Sequence, residues 1–115
     1  MITDSHKLIL KSFTEKPIAH KGLHSMYNKI PENSLPAFEN AIENGYPIEL
    51  DIQILSDETL IVFHDSSLSE MCGIDIKVSK INFKGIKKFH LKDTKYKIPT
   101  LTEVLNLVKG KVPIL

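Results

Sequence analysis

Cysteine occurs once in the chain, as Cys72, tryptophan not at all, and neither charge is in real excess. A lone thiol excludes an intrachain disulfide and fits a reducing, cytoplasmic setting. The 15 basic residues stand against 14 acids, a net charge of +1. That balance removes the bulk electrostatic footprint of nucleic-acid binders and membrane-surface proteins. Long apolar runs are missing too. None approaches the roughly 20 residues of a membrane span, so stable membrane insertion is not expected. Leu8-Ile9-Leu10, between lysines, is too short for the core of a secretory signal. There is no internal repeat and no low-complexity segment.

What is present reads as α/β. With 115 residues, 42% hydrophobic and 25% charged, the chain suits one small globular domain or a piece of a larger one. Residues 1–17 predict an amphipathic lead-in, with Leu8, Ile9 and Phe13 on one face, interrupted by Pro17. Ile18-Ala19-His20 predicts a brief strand turned by Lys21-Gly22. Asn33 or Ser34 caps a helix, with Pro36 in its first turn and Leu35, Phe38, Ala41 and Ile42 as its stripe. Asn44-Gly45 ends it. Pro47–Ile54 then alternates: Ile48, Leu50, Ile52 and Ile54 on one side, Glu49, Asp51 and Gln53 on the other. That predicts one strand with two unlike faces. Thr59–Phe63 is a further apolar run, closed by His64-Asp65. Residues 65–98 are irregular and lysine-rich, but interleaved Ile81, Phe83, Ile86, Phe89 and Leu91 predict a packed element with a solvated face rather than a nucleic-acid surface. Pro99-Thr100 opens a second helix with Leu101, Val104, Leu105 and Val108 as its stripe and Glu103 placed for a capping box. Gly110 closes it, and Val112–Leu115 begins another strand. The natural divisions are 1–17, 18–64, 65–98 and 99–115.

Glu49 and Asp51 lie two residues apart, roughly 6.6 Å of strand, and leave one face. Two carboxylates so placed can share a hard divalent cation such as Mg2+, Ca2+ or Mn2+; a solvent-facing strand would carry the same pair with no ligand at all. His20 and His64 each close a strand, where α/β barrels keep their chemistry, and imidazoles there can serve as acid and base. Singly, each would be an ordinary histidine; the set with the two acids points to function. Lys21 could hold an anion. His6, His24 and His90 have no comparable placement, and Cys72 has no spacing that makes it a nucleophile.

Five segments in order, IAHKGLH, PENSLPAFENAIENG, IELDIQ, LIVFHD and IPTLTEVLNLV, resemble the glycerophosphodiester phosphodiesterases across about Ile18 to Leu115. The resemblance implies the N-terminal portion of a TIM barrel, with a small insertion after the second barrel strand falling at about Asp65–Ile98, and with Ile48, Leu50, Ile52 and Ile54 packed outward against helices. It implies His20 and His64 as catalytic residues and Glu49 and Asp51 as ligands of a divalent metal, Mg2+ or Ca2+. Glu32 and Asn33, with Lys21, would line or brace the substrate site. The reaction implied is metal-dependent hydrolysis of a small-molecule glycerophosphodiester to glycerol 3-phosphate and an alcohol. Two departures stand out. The family's His-Arg-Gly is His-Lys-Gly here, which keeps the charge and loses a planar two-pronged grip on phosphate. The third metal acid is expected just past the end of the chain, so the isolated 115 residues are expected to be inactive. The competing expectations are a catalytically silent α/β fragment or binding module, and a related phosphodiesterase for other phospholipid headgroups. Open strand edges also predict self-association.

Overall fold

The computed structural model of the chain describes residues 17–115; the lead-in with Leu8, Ile9 and Phe13 lies outside them. The first strand, β1 (Ala19–His20), runs into a loop that ends at the buried pair Asn33 and Ser34. Ser34 Oγ accepts the Ala37 N–H at 3.3 Å and donates to Pro31 O at 2.6 Å, so helix α1 (Leu35–Glu43) starts where the cap dictates. Its buried face is Ala37, Phe38 and Ala41. Gly45, at φ +70°, ends it: Gly45 N–H bonds Ile42 O at 3.1 Å and Tyr46 N–H bonds Ala41 O at 2.9 Å. This pair of bonds satisfies the last free carbonyls and turns the chain straight into β2 (Ile48–Glu49). β2 lies parallel to β1, with Ala19 opposite Ile48 and His20 opposite Glu49. On its other side Ile48 bridges Ile114, also in parallel. The segment before Leu115 is therefore strand-like, as expected.

The alternating stretch is not one strand. It leaves the parallel ladder at Leu50-Asp51, and β3 (Ile52–Ile54) pairs instead with β4 (Leu60–Val62) in an antiparallel hairpin. The expectation of a single buried aliphatic face fails accordingly. Ile48 is fully buried, but Ile52 and Ile54 are 48% and 57% exposed. Directly opposite residues of a hairpin share a face, so Ile52, Ile54, Leu60 and Val62 form one side and Gln53 and Ile61 the other. Of the first side only Val62 is covered. Val62 reaches one core, and the polar-position side meets the other through Ile61.

Beyond β4 come three short helical turns, α2 (Ser69–Cys72), a 3-10 turn (Val78–Lys80) and α3 (Phe83–Ile86), and then α4 (Leu101–Val108). The capping box of α4 is formed: Thr100 Oγ1 accepts the Glu103 N–H and Glu103 Oε1 accepts the Thr100 N–H, each at 3.1 Å. Val104 and Val108 are buried, whereas Leu105, expected in the same stripe, is half exposed because it lies a step round the helix from Val104. Among the described residues there are two cores. One joins Ala19, Phe38, Ala41, Ile48, Val62, Val104, Val108 and Val112, beneath the two long helices. The other joins Leu55, Ile61, Phe63, Leu68, Met71, Val78, Ile86, Leu91 and Ile98 within the lysine-rich part. Consecutive residues Ile61 and Val62 face opposite cores, so β4 is the wall between them. Among the described residues no helix is long and apolar enough to cross a membrane.

Cys72 rests against the second core, and burial pushes its thiol up to about 11. At pH 8 the thiolate fraction is then about 100-fold below that of an unperturbed cysteine. Reaction with Ellman's reagent should be about 50-fold or more slower in the native chain than in denaturant. A native rate within about threefold of the denatured one would show that the thiol is not shielded as described.

Candidate active site

Six of the seven residues singled out by the sequence meet at the ends of β1 and β2. His20 and Glu49 are register partners, and Glu49 Oε2 lies against His20 Nδ1. Lys21 takes the left-handed conformation at φ +59° and donates its N–H to Glu49 O at 2.7 Å. Its ammonium pairs with Glu32 Oε2 at 3.2 Å. Asn33, also left-handed at φ +53°, ties the turn to both strands: its N–H bonds Lys21 O at 2.8 Å and its amide Nδ2 donates to Asp51 Oδ2 at 3.3 Å. Asparagine is among the few residues that tolerate this conformation. A left-handed Asn33 followed by the Ser34 cap is thus what sets the α1 entry beside Asp51.

His64 arrives by a different route. It stands just past β4, which is a return arm of a hairpin and not a parallel strand. Phe63 N–H bonds Asp51 O at 2.9 Å, which sets His64 one residue beyond the Asp51 register. Gln53 Nε2 holds the His64 carbonyl at 2.9 Å. The imidazole is exposed, and its polar partner is Asp65, Nδ1 to Oδ1 at 2.8 Å. The motifs alone assign Asp65 no role; its signal in the sequence is an acid directly following a histidine. Both imidazoles thus have a carboxylate beside Nδ1, which orients each ring and leaves Nε2 open.

One buried oxygen at this site, Asn33 Oδ1, has no hydrogen-bond partner, while the buried Glu49 Oε2 meets only the His20 ring. A buried acceptor left so costs about 1–3 kcal/mol. With Asp51 beside them, the available donors are all oxygen, the set a hard divalent cation prefers. The donor types suit a hard cation, but among the described residues no three His, Cys, Asp or Glu side chains converge as a metal group. Lys21 is not a free anion hook, since Glu32 already holds it. The chain has no arginine at all to supply a two-pronged grip.

A family model described as the glycerophosphoryl diester phosphodiesterase family matches residues 20–115, which includes every residue of this site. The chain belongs to that family. A glycerophosphodiester phosphodiesterase of Caldanaerobacter subterraneus subsp. tengcongensis is 36% identical over 101 residues, covering 82% of this chain and 40% of the relative. One of Bacillus altitudinis is 35% identical over 100 residues, with 81% and 40% covered. The crystal structure of a glycerophosphoryl diester phosphodiesterase from Parabacteroides distasonis superposes with a TM-score of 0.75 at 31% identity, over 84% of this chain and 35% of that one. The chain thus spans about two fifths of the length of the curated relatives it matches. Its fold is the N-terminal part of a TIM barrel: β1, β2 and the Ile114 segment are adjacent parallel strands, with α1 and α4 packed outside them. The β3–β4 hairpin and the second core are an elaboration between β2 and α4.

Proposed function

We propose that this chain carries the histidine and metal-binding part of a glycerophosphodiester phosphodiesterase, an enzyme that hydrolyses a glycerophosphodiester to glycerol 3-phosphate and an alcohol. The observation that supports it most is the cluster of His20, Glu49, Asn33 and Asp51 at neighbouring strand ends, with the buried Asn33 Oδ1 lacking a donor. Glu49, Asp51 and the Asn33 carbonyl oxygen would hold Mg2+ or Ca2+. When bound, such a cation offsets phosphate charge and polarises the ester toward attack by a water or by the substrate's own hydroxyl. His20 and His64 each present Nε2: one takes the proton of the nucleophile and the other gives one to the leaving alcohol. Glu49 and Asp65 orient the two rings, and the ring that gives a proton does so as the imidazolium, with Nε2 also protonated. Lys21, poised by Glu32, contributes a positive point charge at the rim. The half-buried, reduced Cys72 suits a cytoplasmic enzyme.

The test is to graft this chain in place of the matching residues of the Caldanaerobacter relative and assay a panel of glycerophosphodiesters that differ in their alcohol. Metal-dependent release of glycerol 3-phosphate is expected. EDTA should abolish it, and Glu49→Gln should lower it by about 100-fold. A graft that folds, by circular dichroism, yet turns over none of the panel would refute the proposal. Release of the headgroup from lysophospholipids alone would favour the related-phosphodiesterase reading. A second reading, that the 115 residues alone are catalytically silent, is favoured by the absence of a three-ligand group among the described residues. Turnover by the free chain would end it. The open face of Ile52, Ile54 and Leu60 further supports self-association of the free chain; a monomer by light scattering would contradict that.

A further inference from the structure

The near-neutral total hides a segregation of charge. Residues 66–98 hold eight lysines and three acids, while the rest of the chain holds seven lysines and eleven acids. Beside this basic segment stands a tight loop. Ser25 and Ile30 exchange both backbone hydrogen bonds at 2.8 Å, and Lys29 turns the chain at φ +56°. At its tip Met26 is 48% and Tyr27 96% exposed. Neither belongs to a core, so folding does not account for an apolar pair held out on a braced turn. The tip and the basic segment are contiguous. Asn28 and Lys29 line one cleft with Asp93, Thr94, Lys95 and Tyr96, two lysines to one acid. Tyr96 also lines the neighbouring cavity, of about 360 Å³, together with Phe83, Lys87 and Lys97. No acid among the described residues pairs with Lys29, Lys95 or Lys97, whereas Lys92 is held by Glu70 at 3.4 Å.

We propose that Met26 and Tyr27, with Lys29, Lys95 and Lys97, form a docking surface for a bilayer of anionic phospholipid. An aromatic ring and a flexible apolar side chain on a projecting turn suit the headgroup boundary, and flanking ammonium groups suit its negative potential. A single-stranded nucleic acid fits less well. Met26 offers no plane for a base, and Lys87 and Lys95 already lie over the Phe83 and Tyr96 rings, 4.2 and 5.6 Å from the centroids. Placement gives the surface a purpose. The 23–33 loop springs from the end of β1 that carries His20, and the basic segment from the end of β4 that carries His64. Docking would turn the mouth of the candidate site toward the lipid. Only that purpose rests on the proposed function; the docking itself is measured without hydrolysis.

Because the chain has no tryptophan, Tyr27→Trp introduces a single reporter at the tip. Its emission should move to the blue with vesicles of mixed phosphatidylglycerol and phosphatidylcholine, and stay put with phosphatidylcholine alone. Sedimentation of the unmodified chain should show the same preference and be reversed by salt. Lys95→Glu with Lys97→Glu should weaken partitioning by about tenfold or more, and Met26→Asp with Tyr27→Asp should abolish it. These side chains are exposed, so circular dichroism should be unchanged and a loss of binding is not a loss of fold. No spectral shift with anionic vesicles, equal binding to both vesicle types, variants that bind like the parent, or retention of single-stranded RNA in place of vesicles would each overturn the proposal.

Discussion

Alanine at position 20 is expected to lower kcat of the grafted barrel by about 10²- to 10⁴-fold, the range that a positioned proton-transfer group contributes. The parallel register sets His20 opposite Glu49, and the Glu49 carboxylate meets Nδ1 of an otherwise exposed ring. Removing the ring leaves Glu49 in place. Metal binding, read by calorimetry, should therefore survive while turnover does not. That split distinguishes loss of a proton carrier from collapse of the ligand set. Glu49→Gln should fail in both respects. Asp65→Asn is the finer probe: the ring of His64 stays, its carboxylate partner is lost, and the pH profile of kcat should shift. If His20→Ala retained kcat within about threefold, the proton-transfer role assigned to this residue would be wrong.

The second large effect concerns stability. Gly22→Ala is expected to destabilise the fold by about 2–4 kcal/mol, part from backbone strain and part from collision. Gly22 sits at φ +80°, and a Cβ there would come within 2.9 Å of Ala37 Cβ and 3.0 Å of both the Ala37 backbone carbon and Phe38 Cδ1. Ala37 and Phe38 are fully buried in the face that α1 turns to the core, so neither can give way cheaply. Gly110→Ala is the matched control: the same positive φ, at +73°, with nothing within 4 Å. It should cost only the conformational part, about 1 kcal/mol. Denaturant unfolding of both variants reads the difference as the price of the close approach. Equal losses would mean that α1 moves aside freely. Because Gly22 follows His20-Lys21 directly, its variant should also loosen the site.

Much of this architecture could be read before any coordinates. The Ser34 and Thr100 caps, the Gly45 stop and the α1 stripe all rest on local chemistry, a side chain bonding a backbone group three residues away or a glycine free to take positive φ. Such signals travel with the sequence. The resemblance in ordered motifs carried the barrel and the site residues further than local rules could. What stayed hidden was which partner each strand meets. The Pro47–Ile54 alternation is real, yet it is split between a parallel ladder and a hairpin. Its aliphatic side is buried at Ile48 and bare at Ile52 and Ile54. Alternation reports that a strand has two unlike faces; it does not report what lies over either.

The same division holds at the site. By itself the sequence determined the chemical inventory: two histidines, two acids two residues apart, a lysine where the family has arginine, and no arginine elsewhere. It determined too where helices begin and end, because capping and hydrophobic spacing are short-range. Only the tertiary structure decided that Asn33 reaches Asp51 across 18 residues, that Glu32 engages Lys21, and that His64 enters from a hairpin with Asp65 as its partner. Those outcomes depend on long-range strand pairing and on two cores meeting at β4, which arise when distant segments compete to cover the same apolar surface.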